Sequence, residues 1–174
     1  MIRTARVERS QGFVVRTTTV ADVEIVAHHR VAMFRDMGRT TPEVIEPLRA
    51  ATIAALREML PRGEYVGWLA SPAGEPERIV SGAGAQLRRV LPFPTRTAHV
   101  DLALGAEAIV LNVYTEPGYR RRGAARIVME AVLAWARDAR IDRLVLHAAP
   151  DGRHLYESLG FVGTNEMRWS GQRP

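Results

Sequence analysis

The chain has 174 residues, enough for one domain with a hydrophobic core. Its 24 basic residues are all arginine and outnumber the 19 acidic residues, giving a net charge of +5 that leaves nucleic acid, membrane surfaces and polyanionic cofactors open as partners. The absence of cysteine excludes disulfides and thiolate metal sites, and no segment resembles a signal peptide or is long and apolar enough to span a membrane, so we expect a cytoplasmic protein.

The first part of the sequence predicts an arm, a strand and a helix. Residues 1–11 are polar and predict a flexible N-terminal arm, which precedes one domain over residues 12–174. In the first predicted strand, GFVVRTTT, Phe13 and Val15 alternate with Val14 and Arg16. Thr19 and Asp22 have the spacing of a capping box, so we expect a helix to begin there and to end at Gly38.

The next segments predict a helix, a hairpin and a long loop. Thr41 and Pro42 form a helix start signal, and the apolar face of this second helix continues to Met59. Two predicted strands follow, EYVGWLAS and RIVSGAGAQLR, and the turn-rich PAGEPE between them predicts an antiparallel hairpin. Residues 90–107 contain two prolines and predict an irregular loop.

Strands and helices alternate in the rest of the sequence. The segment AIVLNVYT, which begins at Ala108, is apolar on both faces and therefore predicts a central strand. The elements predicted after it are a helix over 123–140, a strand RLVLHA, a short helix over 153–159 and a last strand FVGTNEMRW. The order β-α-α-β-β-β-α-β-α-β predicts a single α/β domain with a mixed sheet.

A run of three arginines lies where the central strand, a short loop and a helix meet, in the segment YRRRGAARIV. The glycine lets a ligand approach the backbone, and the first helical turn offers unpaired N–H groups with a partial positive charge. This arrangement predicts an anion site for phosphate, to which Arg120, Arg121, Arg122 and Arg126 add donors. A solvated surface run is the alternative, but cations at a helix N-terminus oppose the helix dipole. The sequence has neither a Walker loop nor a dinucleotide-binding loop.

The arginine segment and a second motif downstream resemble a known family. Residues Arg120 to Ala125 match R-x-x-G-x-[GA], the pyrophosphate loop of the GNAT acetyltransferases, and NVYTEPGYR is similar to the segment that leads into that loop. The segment HLYESLGF resembles the family's Leu-Tyr-Glu-x-x-Gly-Phe ending. The resemblance implies a mostly antiparallel sheet with a splayed central strand pair flanked by helices. It also implies transfer of an acetyl group from acetyl-CoA to a primary amine, by direct attack in a ternary complex.

The same resemblance implies which residues hold acetyl-CoA. Pantetheine would pair with the main chain of Val113, Tyr114 and Thr115, where the central strand splays from its neighbour. Leu155, Leu159 and Phe161 would form an apolar wall near the acyl end. The pyrophosphate would lie on the loop and the first turn of the helix, at Arg120, Arg121, Arg122, Gly123, Ala124, Ala125 and Arg126.

Tyr156 lies at the position that resembles the family's general acid and also belongs to the implied acetyl-CoA site. A tyrosine hydroxyl, with a pKa of about 10, can donate a proton to the thiolate that leaves when an amine attacks. The alternative is a buried tyrosine with a satisfied hydroxyl. Glu107 is the candidate base for the attacking ammonium, directly or through water, and His147 and Asn112 are further candidates. No cluster of histidines and carboxylates in the sequence predicts a metal site.

One position departs from the family pattern, and two other functions stay open. Many relatives have an asparagine seven residues before the tyrosine, where this chain has Ala149. A non-catalytic acyl-CoA binding or sensing module on the same fold is the second hypothesis, and a basic nucleic-acid-binding domain is the third. The basic run is confined to one loop, so we expect neither nucleic acid nor membrane as a partner. The acceptor amine would meet the helices over 20–60, the loop over 90–107 and the last strands, and a homodimer is common in such proteins. The charged residues of these regions show no recognisable signature for one amine: Arg30, Arg35, Asp36, Glu43, Glu46 and Glu64.

Overall fold

A computed structural model describes residues 8–10, 12–94, 102–167, 169 and 171 of the chain. Its helices are α1 (Val23–Asp36), α2 (Pro42–Arg62), α3 (Ala124–Asp138) and α4 (Arg153–Ser158). Its strands are β1 (Glu8–Ser10), β2 (Phe13–Thr17), β3 (Tyr65–Pro72), β4 (Ser81–Arg89), β5 (Phe93–Pro94), β6 (Leu102–Ala103), β7 (Ala106–Thr115) and β8 (Arg143–Leu146). Short 3-10 turns precede α1, α3 and α4, at Val20–Asp22, Pro117–Tyr119 and Pro150–Gly152.

The main sheet has the strand order β1-β2-β3-β4-β7-β8. Its neighbours are antiparallel except for β7 and β8, which run parallel. The predicted hairpin is confirmed, because β3 and β4 are antiparallel neighbours with Leu69 opposite Gly82. β7 lies between β4 and β8, as its apolar sequence predicts. The predicted α/β class, with a mixed and mostly antiparallel sheet in one domain, is therefore confirmed.

Strands β7 and β8 separate partway along their length. Pairing runs from Glu107 opposite Arg143 to Val110 opposite Leu146, where β8 ends. β7 continues to Thr115, and over this stretch it remains paired with β4 on its other side. The predicted splayed pair is confirmed, and beyond Val110 the β8 side of β7 has no strand partner among the described residues. This open edge, from Leu111 to Thr115, is called the cleft below.

The helices cover the two faces of the sheet. On one face α3 packs against β2, β3, β4 and β7, with Val128 and Val132 fully buried. On the other face Val26 of α1 and Leu56 of α2 pack with Leu69 of β3. Burying an aliphatic side chain of this size is worth about 1.5–3 kcal/mol, so apolar contacts hold the helices on both sides.

Local signals set the ends of α1 and α2. The backbone N–H of Thr19 donates to Asp22 Oδ2 at 2.8 Å, as the predicted capping box requires. The turn that follows is a 3-10 turn, and α1 begins after it. α2 begins at Pro42, as predicted, and ends just before Gly63, beyond the predicted end near Met59. Gly63 has a φ of 68°, a left-handed conformation that glycine adopts without strain and that closes the helix.

Two stretches differ from the predicted loops. Within the predicted N-terminal arm, residues 8–10 pair with β2 as the edge strand β1, and residues 1–7 lie outside the described part of the chain. Within the predicted loop, β5 and β6 pair as a two-residue hairpin, and residues 95–101 lie outside the described part. β7 begins at Ala106, two residues before the predicted start, because its first residues pair with β4 and β8.

The prediction of a last strand over the segment FVGTNEMRW is wrong. Residues 161–167 have no regular secondary structure, and within the described chain β8 is the last strand of its sheet. Val162 and Met167 are exposed, so the alternation there faces solvent and no buried face holds it. Gly163 and Asn165 interrupt the segment with residue types that disfavour strands.

Candidate active site

The N-terminus of α3 is the first component of the site. Its N-cap, Gly123, has a φ of 88°, and Arg121 is also left-handed, with a φ of 58°. No side chain caps the helix, and its first turn contains no acidic residue. Ile127 N–H donates to the Gly123 carbonyl at 3.1 Å, so the N–H groups before it precede the helical hydrogen-bond pattern. These groups, with the positive end of the helix dipole, are able to bind an anion, which is what the sequence predicts for this position.

The four arginines predicted around this terminus differ in their contacts. Arg120 donates from Nη2 to Asp36 and from Nε to the Thr115 carbonyl at 3.0 Å, so its guanidinium links the ends of α1 and β7. Arg126 donates to Ser158 Oγ at 2.7 Å, and this hydrogen bond links the end of α4 to the start of α3. The remaining two, Arg121 and Arg122, are exposed. The guanidinium groups of these two arginines are therefore the ones best placed to meet an anion on the loop.

The splayed part of β7 leads directly to this anion site. The three residues predicted to pair with pantetheine, Val113, Tyr114 and Thr115, all lie beyond the last pair with β8. On the opposite edge, Ser81 Oγ of β4 donates to the Tyr114 carbonyl at 2.8 Å and lies 2.8 Å from Thr115 Oγ1. β4 thus occupies one edge of β7, and a ligand that pairs with the strand would approach from the cleft.

A β-bulge interrupts β7 where the cleft begins. Gly84 of β4 lies opposite Leu111, whereas Gly82 lies opposite Tyr114, so one residue of β4 faces two residues of β7. Asn112 occupies the bulge with a φ of 57°. Bulges of this kind bend a strand and redirect its side chains, and they are frequent next to ligand sites.

Tyr156 lies on α4, beside the core that α3 and the sheet share. Its half-buried ring packs edge-on against Phe161, with 6.1 Å between the ring centroids. Leu155 and Leu159 are half-buried against the same core, as the predicted apolar wall requires. Burial raises the pKa of the Tyr156 hydroxyl, so the hydroxyl carries its proton at neutral pH and can donate it to a neighbouring base.

Glu107, the predicted base, lies away from these groups. Its side chain is buried, with 2% exposed, and its two carboxylate oxygens accept from Arg88 Nε and Arg143 Nε. The three residues form one row across β4, β7 and β8. Val113 lies six positions beyond Glu107, which at about 3.3 Å per residue is about 20 Å along the strand. The structure therefore does not bring Glu107 to the cleft, and its carboxylate is engaged in a three-residue ion pair.

The other predicted bases also have partners. His147 is exposed and its Nε2 lies 2.7 Å from Glu166 Oε1. Asn112 is buried at the bulge, where its Oδ1 accepts from Arg30 Nη1 at 2.6 Å and its Nδ2 lies 3.4 Å from the Tyr65 hydroxyl. Ala149, the position that departs from the family pattern, precedes the 3-10 turn before α4.

Sequence reasoning did not single out a histidine pair on α1 that contacts the end of β7. His29 is buried, its ring lies 5.2 Å from that of Tyr114, and its Nε2 has no hydrogen-bond partner among the described residues. Glu116 is 3.7 Å from this nitrogen and accepts from the exposed His28 at 3.2 Å. Burial lowers the pKa of His29 to about 4, and the neighbouring His28 adds to the shift. The tandem histidines were visible in the sequence, but their position depends on how α1 packs against β7.

Metal and membrane features are absent from the described residues. They contain no group of three or more histidines and carboxylates that could hold a metal ion. Among them, no helix has the length and hydrophobicity that a membrane crossing requires.

Comparison with known proteins relates this geometry to a family. The model of the acetyltransferase (GNAT) family matches residues 31–161, which is most of the chain. A GCN5-related N-acetyltransferase from Ralstonia eutropha JMP134 is 28% identical, with a TM-score of 0.77 over 91% of this chain and 97% of that one. A predicted acetyltransferase from Clostridium acetobutylicum, solved with acetyl-CoA, is 23% identical, with a TM-score of 0.72 over 90% of this chain and 94% of that one. Comparison with curated protein sequences gives no match.

The match extends across both parts of the site described above. It includes the splayed part of β7, the loop before α3 and the tyrosine of α4. The chain therefore belongs to the GNAT acetyltransferase family, whose acetyl donor is acetyl-CoA.

Proposed function

We propose that this chain is an N-acetyltransferase that moves the acetyl group of acetyl-CoA to a primary amine by direct attack. The observation that carries the proposal is the continuous path from the open edge of β7 to the uncapped N-terminus of α3. A strand edge can pair with the amides of pantetheine, and a helix N-terminus can hold a pyrophosphate. A ligand that carries both of these groups is a coenzyme A thioester.

The residues at the α3 terminus suit a pyrophosphate. Gly123 leaves the backbone open at the N-cap, where an added Cβ would also strain its left-handed conformation. The exposed guanidinium groups of Arg121 and Arg122 can bind phosphate oxygens in pairs. The pantetheine arm would then run along Thr115 and Val113 toward the bulge, which places the thioester near the closed end of the cleft.

Tyr156 is the proposed donor for the leaving group. In the reaction the amine nitrogen bonds to the acetyl carbon, the carbon–sulfur bond breaks, and the sulfur leaves as a thiolate. A thiol has a pKa of about 8.5 and a tyrosine about 10, so the phenol donates a hydrogen bond readily but gives up its proton at some cost. Burial raises the pKa of Tyr156 further, which keeps the donor protonated throughout the neutral range.

The base is better assigned to water than to Glu107. The amine must lose a proton to attack, and the carboxylate of Glu107 is buried between two arginines at the far end of β7. Water in the cleft can relay this proton to bulk solvent, so that the amine attacks in its neutral form without help from an ionised side chain. Catalysis then depends mainly on holding the two substrates in position, with the chain supplying the strand edge and the anion site.

Replacing Tyr156 with phenylalanine tests the proposal. We expect Tyr156→Phe to bind acetyl-CoA with unchanged affinity in calorimetry and to lower kcat about 100-fold, the usual value of a positioned proton donor. Tyr119→Phe is the matched control, because it removes a hydroxyl from a ring that packs against Phe13. This variant should keep the wild-type kcat.

Two results would contradict parts of this proposal. An unchanged kcat in Tyr156→Phe at neutral pH would exclude the hydroxyl as the donor. Binding of acetyl-CoA without thiol release across a broad amine panel would exclude the transferase and leave the acyl-CoA binding module.

A further inference from the structure

Arg30 of α1 lies at the closed end of the cleft. Its Nη1 donates to Asn112 Oδ1 at 2.6 Å, and Asn112 occupies the bulge two residues beyond the last pair of β7 with β8. The guanidinium also stacks over Phe34, with 4.9 Å to the ring centroid. These two contacts fix the cation where β7 and β8 begin to separate, on the α1 side of the sheet.

This cation has no counter-ion among the described residues. No carboxylate there lies within ion-pair distance of Arg30, whereas Arg120, whose guanidinium also contacts α1, is paired with Asp36. Arg30 is half-buried, and burial lowers its pKa, with Tyr65 opposing the shift. Removing a cation from water without an anion is unfavourable, so the position suits a negative group supplied by a ligand.

We propose that Arg30 binds a carboxylate of the acceptor, so that the amines acetylated by this chain are amino acids or closely similar amino carboxylates. The inference rests on the proposed function, which places the thioester at the same end of the cleft. The hydrogen bond to Asn112 uses one of the five N–H donors of the guanidinium. The others are available for the planar pairing that carboxylates form with arginine. A single cation balances the charge of one carboxylate, whereas a phosphate would retain excess negative charge.

The test compares each amino acid with its own amide. The pairs are glycine and glycinamide, β-alanine and β-alaninamide, and 4-aminobutyrate and 4-aminobutanamide, each assayed for thiol release at saturating acetyl-CoA. We expect at least one acid to exceed its amide in kcat/KM by about tenfold to hundredfold, the range for a hydrogen bond to a charged group. The ammonium group of an amino amide is more acidic than that of the amino acid, so the amide has more free amine at a given pH. This difference favours the amide in kcat/KM and therefore works against the expected result.

Variants of the chain separate a binding role of Arg30 from a structural one. Arg30→Met removes the cation, and Asn112→Asp places a carboxylate beside it that would occupy its donors. Both variants should lower the ratio of kcat/KM for the acid to kcat/KM for the amide to about one. Calorimetry should show unchanged acetyl-CoA affinity in both. Arg35→Met is the control, since it removes an exposed arginine from the same helix and should keep the ratio.

The outcomes distinguish the two proposals. If wild type uses acids and amides equally, or prefers phosphoethanolamine to every acid, the carboxylate site is wrong while the transferase stands. A preference for acids that survives in both Arg30→Met and Asn112→Asp would also overturn it. If acetyl-CoA binds and no amine of any class is acetylated, the proposed function itself fails.

Discussion

Acidification should destabilise this protein through His29, a buried histidine that stays neutral in the folded state. Its side chain is 2% exposed, packs against the ring of Tyr114, and has a pKa lowered by burial to about 4. Above pH 6.5 neither the folded nor the unfolded state protonates this residue, so it has no effect on stability there. Between pH 6.5 and 4 only the unfolded state binds the proton, and the free energy of unfolding falls.

The size of this effect follows from the shift. Each pKa unit is worth about 1.4 kcal/mol, so the descent from 6.5 to about 4 amounts to roughly 3 kcal/mol in total. At pH 5 about 2 kcal/mol of this is already lost. That is a large fraction of the stability of an ordinary domain, which is about 5–15 kcal/mol. Glu116 could offset the loss by pairing with the protonated ring, but its carboxylate is 3.7 Å from Nε2 and outside hydrogen-bond distance.

Urea unfolding at pH 7.5 and pH 5 measures the effect, with His29→Gln as the variant. Glutamine keeps a polar side chain at the site and cannot take the proton, so we expect the variant to lose about 2 kcal/mol less than wild type between the two pH values. His28→Gln removes the exposed neighbour and should retain most of the wild-type loss. Equal losses in wild type and His29→Gln would refute the reasoning, and would mean that Glu116 moves to pair with a protonated His29.

Two further substitutions test the anion site and the buried ion pair. Gly123→Ala places a side chain at a φ of 88° and should cost about 1–2 kcal/mol in urea unfolding and weaken acetyl-CoA binding in calorimetry. Unchanged affinity would contradict the assignment of the pyrophosphate to this terminus. Glu107→Gln leaves its two half-exposed arginine partners without a carboxylate and should cost about 2 kcal/mol, with kcat nearly unchanged. A large drop in kcat with normal stability would restore Glu107 as the catalytic base.

The parts of the site that depend on local geometry were predictable from the sequence. Gly123 followed by an apolar-periodic segment predicts a helix start, and the double-faced apolar pattern of β7 predicts a central strand. In the structure the two elements meet at the loop where the anion site was predicted. Such features depend on residues a few positions apart, so periodicity and turn chemistry are enough to find them.

The parts that depend on strand register and packing were not predictable. Glu107 follows a loop in the sequence, but pairing places it between Arg88 and Arg143 from two other strands. Arg120 was assigned to the phosphate loop, yet its donors reach Asp36, 84 residues away in the sequence. Local reasoning finds the backbone of a site more readily than the partners of its charged side chains.

The bulge of β7 determines which face of the sheet the side chains of Val113 and Tyr114 occupy. Leu111 faces α1 and α2, and strict alternation would make Val113 face the same way. The additional residue, Asn112, reverses this order, so that Val113 faces α3 and Tyr114 meets His29 of α1. Regular pairing of the full strand, without the bulge, would turn the aromatic ring of Tyr114 away from His29 and toward α3. Deleting Asn112 would keep Val113 and Tyr114 on their present faces, so the cost of that deletion is the lost hydrogen bond to Arg30 and not a change of face.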